Sequence, residues 1–318
     1  MLCVLVALLM PVAVTASEIQ RGQIHLRHHP DDADVAGRAL DVLEAALAEF
    51  APRLPAGDAP IYVIVAHDLP EFMRYARSYT QVTVSGIAKA SKSLIVVKAP
   101  HLRRAGSDYR GTLRHELVHV LIYRNANTAL VPRWLNEGIC MSLANEYRWA
   151  APLSVARMYL GGRMIPYRLL DRAFLAPGDE MEFNDAYAQA LSMTRFLRDH
   201  LGEDTFWTVF HAMDALSFGD ALRRHAGITP ADFWHAYQRS LWKLALIGIL
   251  MSGSFFTPAA FLVIIAWFRK RAQNRRTLAR WEAEEAVEDA EGLHVFSWDE
   301  VVEDPDAWKG NTYEDEQY

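Results

Sequence analysis

His115, Glu116 and His119 stand in the order H-E-x-x-H, a spacing that one helix converts into half of a metal site. The two histidines are about one turn apart, so both imidazoles lean from the same face and suit two corners of a zinc tetrahedron. Glu116 lies about 100° further round from His115. There it reaches a water activated at the metal without taking a ligand position. A His-Glu pair on an exposed helix is usually just a solvated face. Here the flanks are Leu113, Leu117, Val118, Val120, Leu121 and Ile122, which predict a buried helix. Two histidines and a glutamate buried there are costly without a metal or hydrogen-bond partners. Arg110, Arg114 and Arg124 exclude a membrane-embedded version of the motif.

The third ligand is expected in Pro132-Arg133-Trp134-Leu135-Asn136-Glu137-Gly138. Seventeen residues separate His119 from Glu137, enough to finish one helix, turn and return antiparallel. Glu146 competes with Glu137, but nine residues along the same helix is half a revolution away. Gly138 allows the helices to pack closely. Two histidines, one glutamate and an open fourth position define a catalytic zinc site, so Zn2+ is the expected cofactor. A structural or vestigial zinc is the alternative.

The elements that must position these residues fall into two blocks. Ile19 to Leu26 and Ile61 to Val65 read as strands, with a helix from an Asp31/Asp32 N-cap to about Phe50 between them. A short helix is expected over Pro70 to Ala76, then strands over Val82 to Ala90 and Ser93 to Lys98 around a turn at Ser91-Lys92. Beyond residue 107 the pattern is helical, over roughly 109–124, 133–147, 184–201, 203–213, 217–225 and 230–242. Strands first and helices afterwards predict an α+β domain, a small mixed sheet on the zinc-binding helices with a helical subdomain behind.

At these residues the sequence resembles the gluzincins, the peptidase clan of thermolysin and aminopeptidase N. Trp134-Leu135-Asn136-Glu137-Gly138 is similar to the second motif of the aminopeptidases. Residues 17–243 resemble compact peptidase MA-like domains, including Asp185-Ala186-Tyr187-Ala188-Gln189-Ala190 on a later helix. The resemblance implies His115, His119 and Glu137 as zinc ligands and Glu116 as general base. It also offers Tyr187 as an oxyanion donor, with simple packing as the other reading. Three departures stand out: a shorter His119–Glu137 interval, Met141 where thermolysin-like enzymes place an aspartate, and no Glu-Asn exopeptidase motif near Gly86 to Ala90. The last favours cleavage within peptide chains. The segment near 84–90 would then be an edge strand that holds a peptide or protein substrate by adding it to the sheet. The rival function is a non-catalytic membrane scaffold with a structural zinc.

Charge and hydropathy speak to topology. The net charge of −6 hides six bases and no acid from Arg269 to Arg280, then fourteen acids against Lys309 alone from Glu282 onward. Residues 1–268 are left at about +1, which gives no electrostatic footprint for nucleic acid. Met1 to Ala16 reads as a signal peptide ending Val14-Thr15-Ala16, with an uncleaved anchor as the alternative. Leu244 to Phe268 offers 25 uncharged residues, followed at once by the basic run, and predicts one C-terminal transmembrane helix. On that reading residues 17–243 face the extracytoplasmic side of a cell membrane. Residues 269–318 form an acidic, disordered cytoplasmic tail whose aromatic islands are open to a partner. Cys3 leaves with the signal, so Cys140 has no disulfide partner.

Overall fold

Gly22 breaks the first expected strand in two. It sits at φ 52 in a two-residue turn, with Arg21 paired to Ile24 on either side. Tight hairpins need such backbone angles, and glycine adopts them without steric penalty. The stretch read as one strand is therefore β1 (Ser17–Arg21) and β2 (Ile24–His28). The computed structural model describes residues 16–76, 84–103, 107–146, 150–175, 180–251, 262 and 265–275.

β3 (Ile61–Ala66), β4 (Gly86–Lys89) and β5 (Leu94–Lys98) complete a five-stranded sheet in the order β1-β2-β3-β5-β4. β2, β3 and β5 run parallel, while β1 and β4 are antiparallel edges, so the sheet is mixed. Helix α1 (Ala33–Phe50) makes the crossover from β2 to β3 and buries Ala36, Ala39, Leu40, Leu43, Ala46 and Phe50, a single stripe at helical spacing. The short α2 (Leu69–Met73) starts where the Asp68 carboxylate accepts the Glu71 N–H.

Eight further helices follow among the described residues: α3 (Tyr109–Asn125), α4 (Arg133–Leu143), α5 (Ala150–Gly161), α6 (Tyr167–Leu175), α7 (Glu180–Leu201), α8 (Glu203–Ala212), α9 (Phe218–Ala226) and α10 (Pro230–Met251). The α+β architecture with a small mixed sheet is as expected. Helices α5 and α6 were not expected, and α4 ends four residues early. Its end is marked by Asn145 at φ 54, a left-handed residue that no helix continues through. Behind α4, Trp134 stacks on Phe233 with ring centroids 5.9 Å apart and meets Phe218 edge-on at 5.5 Å, which fastens α9 and α10 to it.

The transmembrane helix expected over Leu244 to Phe268 is overturned. Among the described residues no helix is long and apolar enough to cross a membrane. Helix α10 begins at Pro230 and carries Asp232, Arg239 and Lys243, so only its last eight residues belong to the apolar run. Its buried Phe233, Tyr237 and Leu241 belong to the same core as the sheet and α3. The next longer helical stretch, residues 265–275, holds Arg269, Lys270, Arg271 and Arg275 of the basic run. Residues 252–261, 263 and 264 of the expected span lie outside the described residues, as do residues 1–15 of the signal and 276–318 of the tail. The chain divides into two compact units, Met1–Ile249 and Leu250–Tyr318.

Candidate metal centre

Helix α3 carries the H-E-x-x-H residues, and its position is set at both ends. Asp108 caps it by accepting the Gly111 N–H at 2.9 Å, a contact of the kind that contributes about 1 kcal/mol. In its middle, the Arg114 guanidinium spans the Glu49 carboxylate at 2.7 and 2.8 Å, bonds the Leu143 carbonyl at 2.7 Å and lies over the Phe50 ring. One side chain thus ties α1, α3 and the end of α4 together, beside His115. At the far end Arg124 bonds the carbonyls of Ala56 and Pro60 and the Ser93 hydroxyl.

Helix α4 has no capping side chain of its own. Asp171 of α6 supplies it, accepting the N–H groups of Arg133 at 3.1 Å and Trp134 at 2.9 Å. That external cap fixes the first turn, and Glu137 follows one turn later. A side chain at 138 would collide with Thr194 Oγ1 and sit 2.7 Å from the Ala190 carbonyl, so Gly138 lets α7 press directly on α4. This is the close packing expected of that glycine, against a different helix from the one anticipated.

The three expected ligand side chains converge. His115 Nε2 and His119 Nε2 are 3.2 Å apart, and Glu137 Oε2 lies 3.5 Å from the first and 3.7 Å from the second. Donors on a zinc ion with bonds of about 2.0–2.1 Å are separated by about 3.3 Å in a regular tetrahedron, so the triangle is of the right size. Glu137 Oε2 is buried without a well-formed hydrogen bond, which leaves a carboxylate oxygen for a cation or a proton donor to satisfy. His119 Nδ1 lies 2.8 Å from Asn136 Oδ1. With that amide oxygen accepting, the proton sits on Nδ1 and the Nε2 lone pair faces the triangle. The donor set fits a zinc ion.

Burial would raise the Glu137 carboxyl, but His119, His115 and Arg133 outweigh it and hold it at about 2. Burial lowers His119. It opposes protonation of His115 too, yet the Glu137 and Glu146 carboxylates win and raise that ring well above its ordinary value. In the metal-free protein the extra proton therefore sits on His115. Glu116 is pushed up to about 7, first by burial and then by Glu137 and Glu146, with His115 and a backbone hydrogen bond from Ala88 pulling the other way.

Glu146 is the residue that sequence reasoning misplaced. The half-revolution argument assumed a helix through 146, whereas α4 stops at Leu143 and the left-handed Asn145 turns the chain back. Glu146 Oε1 comes to 3.3 Å from His115 Nδ1, a ring nitrogen that is buried and otherwise makes no well-formed hydrogen bond. It takes the orienting place in which Met141 had been noted as a departure. Cys140 is the other late arrival. Its buried thiol lies 3.2 Å from His119 Nδ1, so His115, His119 and Cys140 form a second possible donor group. Nδ1 is on the ring edge away from His115, so the thiol and Glu137 cannot share one ion through His119; the orphaned Glu137 oxygen favours Glu137. Burial raises the Cys140 thiol well above its ordinary value and keeps it protonated.

β4 lies against α3 at Thr112 and Glu116. A Cβ at residue 86 would come within 2.9 Å of Glu116 Oε1 and 2.8 Å of Thr112 Cγ2. Tyr187 sits on α7, one turn before the Ala190 carbonyl that faces Gly138. Its ring meets Phe174 and Phe183 edge-on, with centroids 5.0 and 4.8 Å away. These contacts fix the ring and leave the role of its hydroxyl open. No protein-family model matches the chain, and no curated protein matches it either.

Proposed function

We propose that this chain is a zinc-dependent peptidase of the gluzincin type, cleaving within peptide chains, with His115, His119 and Glu137 as ligands and Glu116 as general base. The observation that carries it is the meeting of two Nε2 atoms and one orphaned carboxylate oxygen at 3.2–3.7 Å, directly beside a buried glutamate. Zinc bound there supplies a Lewis acid that brings the pKa of a water towards about 7 and polarises a carbonyl. Glu116, buried next to His115 in sequence, accepts the proton of the attacking water and passes it to the leaving amine. β4 is the sheet edge next to that carboxylate, and a substrate adding to its outer side as a further strand is held by main-chain hydrogen bonds. Gly86 to Ala90 carries no carboxylate to grip a free amino terminus, which supports endopeptidase action. Tyr187 is the oxyanion donor in this scheme.

The test is Glu116→Gln assayed on a broad peptide library. The variant keeps its shape and its metal, and hydrolysis falls by roughly 10²–10⁴-fold. A folded, zinc-loaded Glu116→Gln protein that cleaves like the parent overturns Glu116 as the general base, and a zinc-loaded parent that cleaves nothing overturns the enzyme and leaves a binding scaffold with a structural zinc.

A further inference from the structure

Parallel strands β2, β3 and β5 end on one edge of the sheet, the edge at which open sheets of this kind hold ligands. The chain leaves β2 through His29 to Asp32, leaves β3 through His67, and leaves β5 through Ala99 to His101. The sequence marks His25, His28 and His29 as a surface cluster lacking a carboxylate. The structure instead buries His28, pairs His29 with Asp31 and sets His67 and His101 around Asp32.

Asp32 has only 6% of its side chain exposed; its Oδ2 lies 2.8 Å from His67 Nδ1 and its Oδ1 lies 3.8 Å from His101 Nδ1. It is the N-cap residue of α1, yet its carboxylate makes no capping bond and turns to the histidines. His101 Nε2 is 2.7 Å from the His67 carbonyl oxygen. A carbonyl only accepts, so Nε2 carries a proton, and the ring turns Nδ1 towards a carboxylate oxygen. At 3.8 Å that nitrogen and the Asp32 oxygen are too far apart for a hydrogen bond, and a cation between them would bind both. His29 stacks on His67 with centroids 3.9 Å apart and planes 17° from parallel, a geometry that two imidazolium rings would resist.

We propose that Asp32, His67 and His101 form a second metal site, which takes a zinc ion through one carboxylate oxygen and the two Nδ1 atoms, displacing to solvent the proton that His67 Nδ1 shares with Asp32. These three donors lie within 4.8 Å of one another, and two imidazoles with one carboxylate suit zinc. The ion fastens three strand ends to the loop that leads into α3. Two residues beyond His101, Arg103 bonds Thr112 Oγ1 at 2.7 Å and the Asp108 carbonyl at 3.1 Å, carrying the fixation into the first turn of that helix. The site does not depend on the peptidase reading.

Zinc alone is the probe, counted per full-length chain after loading and exhaustive dialysis. The parent holds two ions, His119→Ala one, His101→Gln one, and the double variant none. His101 is about half exposed (49%), so its replacement spares the fold, which circular dichroism verifies. Added zinc raises the Tm of His119→Ala and leaves the double variant unmoved. A parent that holds a single ion, lost in His119→Ala and kept in His101→Gln, overturns the second site; so does a folded double variant that retains zinc. An ion lost in His101→Gln but kept in His119→Ala upholds the second site and removes the peptidase centre instead.

Discussion

His115 and His119 meet because a helix repeats every 3.6 residues, whereas Asp32, His67 and His101 meet because three strand ends face one another across a sheet edge. The first cluster is prepared locally: one helix supplies two donors and the base, and a second helix needs to deliver only Glu137. The second is prepared entirely by topology, with donors 35 and 34 residues apart in sequence. The helix-borne cluster also has its supports close by, in Asn136, Glu146 and Cys140. The strand-end cluster leans on a stacked ring and one backbone carbonyl. A motif search finds only the first kind.

The sharpest way to break this contrast is His115→Ala. It abolishes peptide hydrolysis and removes one zinc while the ion at Asp32, His67 and His101 stays, as metal analysis of the purified variant reads directly. Loss of both ions would mean that the clusters are one cooperative unit. Tyr187→Phe comes next, lowering turnover by about 10²–10³-fold with metal content unchanged. Unchanged turnover assigns Tyr187 to packing against Phe174 and Phe183 alone. Glu146→Gln weakens zinc binding by about 10–100-fold, the usual effect of losing a carboxylate behind a ligating histidine, and a competition titration measures it.

The smallest effect is in pH. Because His115 is raised in the metal-free protein, zinc must displace a proton from it. Apparent affinity therefore climbs as pH rises, by up to about tenfold per unit for one displaced proton, and flattens above the folded pKa of His115. Affinity that falls with rising pH would show that His115 is not a ligand.

The legible parts of the chain are those where local rules act alone. Ile61–Ala66 is a strand by its β-branched run, α1 starts beside the Asp31/Asp32 pair, and Glu137 reaches His115 and His119 through a helix, a turn and a helix. Each miss traces to a non-local determinant or an unread turn. Gly22 was a hairpin signal inside a stretch read as one strand. Helix α6 earns its place by capping α4 through Asp171, 38 residues away in sequence, which no window around either segment registers. Glu146 was judged by helical geometry beyond the helix's end. The apolar run after Leu244 was counted by hydropathy alone, while α10 takes its first residues into a helix that starts among Asp232, Arg239 and Lys243.

Gly86 also sets what this chain tolerates by mutation. The space a side chain would fill at 86 is held by Glu116 and Thr112, so β4 is a wall one backbone thick between its outer edge and the buried carboxylate. Gly86→Ala forces that wall outward, whatever the chemistry of the added methyl group. A one-residue deletion within β4 does worse, because it exchanges the two faces of the strand and swings Ile87 or a neighbour towards Glu116. Register, more than composition, is what four residues of edge strand must keep.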